Sequence, residues 1–301
     1  MHMTDQPSAA TKIAITATLG AAVFWGLWWW PLRWLADNGF GDFGATVAIY
    51  IAGILTLIPL VPWRTAPFQR GGPAMLFSAI VFGFALAAWN LALLWGLVAR
   101  VTLFFYLSPV WAVLLSYLVL GHRPGRIRLL AVLLGIAGAI LLLGGGLDSG
   151  IDEGASTAFG RGDAMGLLSG LLFAVSITGA RKLPGEIDGR TQTLTALFVA
   201  LVVSAAFGAD VLNTLSMPTW TVFSVALLVG ALVLVPGTML MLYGGNKLDP
   251  GQVTLLLLLE VPIAIVSAAI IAGEAISLHE LIAAAMILTA AFLEARLGSA
   301  D

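Results

Sequence analysis

One carboxylate lies deep in an apolar run. In LLLLLEVPIAIV, Glu260 follows five leucines, Leu255 to Leu259, and precedes Val261 and Pro262. Counted from Val253 at ~1.5 Å per residue, it sits about 10 Å into ~30 Å of hydrocarbon. An acid at that depth is costly and is a functional candidate by default. It could meet a substrate amine or carry a proton. It could equally be a structural group, bonded to backbone freed by Pro262 or protonated and inert.

Around it the sequence offers binding groups rather than reactive ones. Trp89 and Asn90 stand in AAWNLALLWG, Tyr106 and Ser108 in LFFYLSPVW, and Tyr243 and Asn246 in MLYGGNK. Asn90 and Tyr106 can give and accept hydrogen bonds, which suits an amine and a carboxylate, and Trp89 offers a flat apolar wall. Residues of these types also serve as interhelical glue in lipid. The three histidines, His2, His122 and His279, fall in the tail or at the ends of apolar runs, and zinc-type spacing is absent. Asp148, Asp152 and Glu153 form a short acidic stretch that reads as a solvated linker rather than a metal site. With no cysteine there is no thiol chemistry. Neither an enzyme nor any cofactor or metal is expected.

The elements that must position these groups are membrane helices. The 301 residues are 60% hydrophobic and 10% charged, with a mean hydropathy of +1.01; soluble domains carry about a quarter charged residues. A net charge of −2 with no basic cluster gives no reason to expect nucleic acid. Runs of about 20 apolar residues, long enough to cross the bilayer, lie near 12–36, 42–62, 72–95, 100–120, 127–146, 162–181, 190–210, 218–244, 251–273 and 279–297. They are continuous rather than alternating, so the expected class is all-α with ten transmembrane helices. Residues 1–11 read as a disordered tail and the first run as a retained helix.

Basic residues orient the bundle. With the N-terminus inside, Lys12, Arg64, Arg70, Arg123, Arg126, Arg128, Arg181, Lys182, Arg190, Lys247 and Arg296 are cytoplasmic, and only Arg33, Arg100 and Arg161 are outside. Both termini are then cytoplasmic. The halves also repeat. RVTLFFYLSPVWAVLLSYLVLGH (Arg100 to His122) lies over QVTLLLLLEVPIAIVSAAIIAGE (Gln252 to Glu274) at an offset of 152, while Pro109 and Pro262 miss by one position. Glu260 thus pairs with Ser108, so the site is electrostatically lopsided. The expected units are 12–146 and 161–301, five helices each, joined by a Gly-rich linker at 147–160. Five is odd, so the second unit enters from the opposite face. Inverted repeats mark transporters, with the substrate near the midplane between the halves, although channels and membrane enzymes can also contain repeats.

These two runs resemble the ends of the paired repeats of the EamA family, in the drug/metabolite transporter superfamily. FWGLWWWPLRWL is similar to its first-helix Trp-Gly motif and LLFAVSITGARKL to the start of its second repeat. YLSPVW after AAWNLALLWG is further similar to the YddG-type aromatic amino acid exporters. The first repeat departs from the pattern by ending in Gly121-His122 rather than Gly-Glu. The resemblance implies an inner-membrane exporter of aromatic or other apolar amino acids, working by alternating access, with no obligate protein partner. A drug or nucleobase exporter coupled to protons through Glu260 is the alternative, and a channel or scramblase a further one.

Three further features fit that frame. In VFWGLWWWPLRW, Trp29, Trp30 and Trp34 lie ~26 Å or more along the first helix, where interfacial belts sit; Trp25, a turn deeper, is the candidate for lining the path. Pro109 and Pro262 each remove a helical hydrogen bond at mid-membrane, making hinges or static kinks. Small residues in GIAGAILLLGGG and IAAAMILTAA let backbones approach, and the resemblance implies that the last helix of each repeat packs at the periphery. The first helix carries no acid between Lys12 and Ala36. Apolar surroundings favour a neutral Glu260, which cannot carry a proton cycle, so facilitative export is expected.

Overall fold

The computed structural model describes residues 8–95, 98–147, 159–207, 219–273, 276 and 278–297. Each apolar run becomes helix, and among the described residues there is no strand. The first half holds α1 (Ala9–Gly26), α2 (Trp29–Leu35), α3 (Gly41–Leu57), α4 (Pro67–Trp95), α5 (Val98–Phe105), α6 (Ser108–Leu115) and α7 (Arg126–Leu147). The second holds α8 (Arg161–Lys182), α9 (Gly189–Phe207), α10 (Trp220–Val229), α11 (Val235–Lys247), α12 (Pro250–Leu257), α13 (Glu260–Ala272) and α14 (Leu278–Leu297). Among the described residues, six stretches are long and apolar enough to cross a bilayer: Ala9–Phe40, Pro67–Ala92, Arg161–Lys182, Gly189–Phe207, Trp220–Lys247 and Pro250–Ile271. Gly44–Leu60, Ser108–Leu120 and Leu281–Glu294 are shorter apolar helices.

The first helix starts at Ala9, inside the tail expected to be disordered. Ser8 explains the earlier start: its hydroxyl accepts from Thr11 N at 3.2 Å and caps the helix. Most of the Gly-rich linker, residues 148–158, lies outside the described residues.

Three apolar helices are broken in mid-course, each with a proline two or three residues beyond the break. A proline ring displaces the carbonyl four residues earlier. For Pro31 that carbonyl belongs to Leu27, which accepts instead from Trp30 N at 3.3 Å; for Pro262 it belongs to Leu258, which accepts from Val261 N at 3.1 Å. Pro109 stands at the second residue of α6, where a missing N–H costs little. The breaks at Tyr106–Leu107 and Leu258–Leu259 fall at the same repeat register, although the prolines do not. Leu107 N bonds Phe104 O at 3.3 Å, and the equivalent Leu259 N bonds Leu256 O at 3.2 Å. Pro236 is accommodated differently: the chain widens into a π-helical turn at Gly230–Leu234 just before it.

Packing follows the repeat. Helix α4 packs on α8 and, correspondingly, α11 on α1; α4 packs on α9 and α10 on α3; α6 packs on α8 and α13 on α1. Each of these contacts joins one half to the other. The direction is antiparallel: Arg128, Gly135 and Gly138 of α7 meet Glu294, Ala290 and Ile287 of α14 in descending order. Gly138 faces the Ala283 carbonyl across that seam, the backbone approach expected of its small residues. A large core cluster runs from Ala14 and Ile49 through Phe173 and Leu197 to Leu256. A smaller one unites Tyr106, Leu258 and Val261 with α7 and α14.

Candidate functional site

The breaks converge. Helix α1 ends at Gly26, where a Cβ would lie 2.6 Å from the Glu260 carbonyl and 2.8 Å from Ile263 Cβ. Only glycine lets α1 press against the start of α13 at this point. Ser108 and Glu260, equivalent in the repeat, are each the first residue of a half-helix, α6 and α13. Between these ends Tyr106 is nearly enclosed, at 9% exposure, and its side chain lies beside that of Glu260. Glu260 itself is partly buried.

Aromatic rings wall the place. Trp89 of α4 lies 4.9 Å, centroid to centroid, from Phe105, which in turn is 6.0 Å from Tyr106 and 6.4 Å from Phe173. Trp25 is partly buried, its ring 5.5 Å from Trp28, and its indole N–H is enclosed without a hydrogen-bond partner. A cavity of about 160 Å³ adjoins Tyr106, bounded by Phe104, Leu107, Ile136, Ala139 and Ile140. A wider, open depression of about 750 Å³ among Arg70, Gly185 and Glu186 is remote from these groups.

The structure therefore gathers Trp25, Trp89, Tyr106, Ser108 and Glu260 near the breaks, with Pro109 and Pro262 in the first turns of the half-helices. The other expected lining residues are elsewhere engaged. Asn90 Nδ2 donates to the Tyr50 hydroxyl at 2.7 Å. Asn246 pairs with the fully buried Gln192: its Nδ2 donates to Gln192 Oε1 at 2.8 Å, and Gln192 Nε2 donates to Ser78 Oγ at 2.7 Å. Tyr243 turns outward, 37% exposed, because its neighbours Met241, Leu242, Gly244 and Gly245 take the buried face of α11. Of the tryptophan run, Trp30 is half-exposed, Trp34 packs against the core, and Trp29 donates to Ser267 Oγ of α13 at 2.9 Å.

A charged cluster escaped the sequence reading. Arg128 Nη1 contacts Asp249 Oδ1 at 3.0 Å and Arg128 Nη2 contacts Glu294 Oε1 at 3.0 Å. His122 Nδ1 lies 2.9 Å from Asp249 Oδ2, to which Ser116 Oγ donates at 2.5 Å. Burial alone would raise the Asp249 carboxyl, but Arg128, Ser116, His122 and the Gly251 N–H together hold it below the usual carboxylate range. Glu294 is fully buried, so Glu260 is not the sole interior acid. The missed signal was Arg128 itself, an arginine placed just inside a helix start and read only for its orienting charge.

An all-helical bundle built between two halves, with broken helices meeting at polar and aromatic side chains, defines a polytopic membrane transporter. The chain belongs to the EamA-like transporter family, whose pattern it matches over residues 12–144 and 160–295. Two relatives from Helicobacter pylori, each described as an uncharacterized transporter, are similar. That from strain 26695 is 26% identical over 166 residues, covering 54% of this chain and 50% of the relative. That from strain J99 is 25% identical over 165 residues, with the same coverage. The chain thus spans about half the length of the curated relatives it matches. One solved structure, titled only as the crystal structure of a protein, has the same fold at a TM-score of 0.66, covering 96% of this chain and 98% of the other at 19% identity.

Proposed function

We propose that this transporter exports small zwitterionic metabolites, foremost amino acids with aromatic or other apolar side chains, by alternating access between two inverted five-helix repeats in the inner membrane. Ten apolar runs and the eleven-to-three basic bias support a topology with both termini cytoplasmic.

The carrying observation is the unequal pair of half-helix starts. A helix N-terminus carries partial positive charge. At α13 that charge is met by Glu260 in the first turn; at the equivalent start of α6 stands the neutral Ser108. A carboxylate suits the α6 end, an ammonium group suits Glu260, and Trp89 with Phe105 supplies a wall for an apolar side chain. The unpartnered indole N–H of Trp25 adds a donor. This pattern fits a zwitterion better than a neutral drug or a nucleobase. Transport is facilitative: helix α1 carries no acid.

Uptake of labelled phenylalanine and leucine into proteoliposomes tests the reading. Saturable, stereoselective flux is expected; absence of saturable flux for any amino acid removes it. A proton-coupled mechanism through Glu260 is the second reading, favoured by the Tyr106–Glu260 contact. Counterflow without a pH gradient separates them. If the parent needs a proton gradient and Glu260→Gln abolishes that need, the facilitative account is wrong.

A further inference from the structure

The Arg128 cluster occupies a particular place in the fold. Helix α6 runs from the break at Tyr106–Leu107 towards the end of the bundle that holds Lys12, Arg126 and Lys247; α12 runs from that same end to the break at Leu258–Leu259. These two half-helices pack against each other. Their inner ends are the breaks beside Ser108 and Glu260. Their outer ends carry the charged cluster: Ser116 continues α6, and Asp249 caps α12 by accepting from Gly251 N at 3.0 Å.

The cluster is divided between the halves. Ser116, His122 and Arg128 come from the first, Asp249 and Glu294 from the second. The Arg128 and Asp249 side chains are 9% and 12% exposed, and that of Glu294 is 0%. As permanent glue this would be a poor choice, because buried ion pairs hold a fold no better than apolar packing of the same volume. As a seam that parts it is apt: at the bundle's edge the separated charges regain water, and closure restores the pairs. The neighbouring contact between halves at the same end is different in kind. There Glu186 N donates to Arg70 O at 2.9 Å and Ala74 N to Pro184 O at 3.2 Å, backbone bonds without charge.

We propose that Arg128, Asp249 and Glu294 form the latch of a cytoplasmic gate, closed in this structure, and that α6 and α12 swing apart about their two breaks when it opens to admit substrate. The sidedness and the need to open rest on the transport reading above.

A reversible cross-link tests it. A Cβ on Gly251 would lie 2.7 Å from Val113 Cγ2; adding one C–C bond puts the two Cβ atoms no more than ~4.2 Å apart, within disulfide range. The chain has no cysteine, so Val113→Cys with Gly251→Cys gives a single pair across the seam. In proteoliposomes, labelled phenylalanine flux by the oxidised variant should fall to background and return with dithiothreitol. Equal flux in both states overturns the latch. A second measurement is independent of the substrate: a lone Val113→Cys, probed from the cytoplasmic side with a membrane-impermeant maleimide, should react faster when Asp249→Asn is added. Unchanged labelling also overturns the latch, whereas faster labelling with no flux from the parent upholds it and sinks the proposed substrate.

Discussion

Gly26→Ala is the sharpest test of how the broken helices meet. In an ordinary helix the change removes glycine's excess backbone freedom and stabilises by up to ~1 kcal/mol. Here the new methyl would stand 2.6 Å from the Glu260 carbonyl oxygen and 2.8 Å from both Cβ and Cγ2 of Ile263. The oxygen is backbone and the two carbons belong to a stiff β-branched side chain, so neither can swing away. Overpacking of this kind costs ~1–3 kcal/mol, which exceeds the propensity gain, and the net effect is destabilising. Gly20 of the same helix is the control, since its new methyl would meet only Leu240 Cδ1, at 3.4 Å. Thermal unfolding in detergent should therefore give a lower Tm for Gly26→Ala than for the parent, and an equal or higher one for Gly20→Ala. The first substitution also pushes the start of α13 off α1 and shifts the Glu260 carboxyl, so transport should fall with it. A Tm for Gly26→Ala at or above that of Gly20→Ala would refute the contact and the convergence built on it.

Other perturbations have equally definite outcomes. Trp89→Leu removes the ring packed on Phe105, an aromatic pairing of ~0.5–1.5 kcal/mol, and should raise KM for phenylalanine more than for leucine; equal shifts would remove Trp89 from the wall. Gln192→Leu leaves the Asn246 amide without its acceptor, at ~1–3 kcal/mol, whereas Gln192→Leu with Asn246→Leu should cost less than the two singles together in a double-mutant cycle of Tm. Asp249, depressed in the folded state, binds protons more weakly folded than unfolded. Its stabilisation is therefore present above the unfolded pKa of ~3.9 and is lost as pH falls through and below it. Melting temperature should accordingly vary little with this group between neutrality and pH 5, drop on further acidification, and drop less in Asp249→Asn.

What was legible in the sequence was whatever hydropathy and local rules determine. Apolar runs of bilayer length became helices, Pro31, Pro109 and Pro262 stand beside the observed breaks, and the Gly and Ala positions of α7 and α14 meet. Partnerships across the bundle were not legible. Nothing in a single sequence ties Asn90 to Tyr50, 40 positions away, or Asn246 to Gln192, 54 away. Such pairs depend on how each helix is rotated about its axis, and no local signal fixes that. Tyr243 shows the consequence. Its depth was legible and its facing was not, because α11 follows the π-helical turn at Gly230–Leu234, whose extra residue turns everything after it.

The repeat register carries more mechanical information than the prolines that drew attention to it. Pro109 and Pro262 differ by one position, yet both chains tighten at equivalent residues and both restart at Ser108 and Glu260. Proline alone therefore cannot set the break; the opposing helix must share in it. Gly170 of α8 approaches the Phe105 carbonyl, with its Cβ position 2.7 Å away, as Gly26 of α1 approaches that of Glu260. These two broken helices are thus each backed, next to the break, by a glycine on a helix of the other half. At these two joints the chemistry also differs, Ser108 against Glu260, so the polarity presented at the two half-helix starts is unequal.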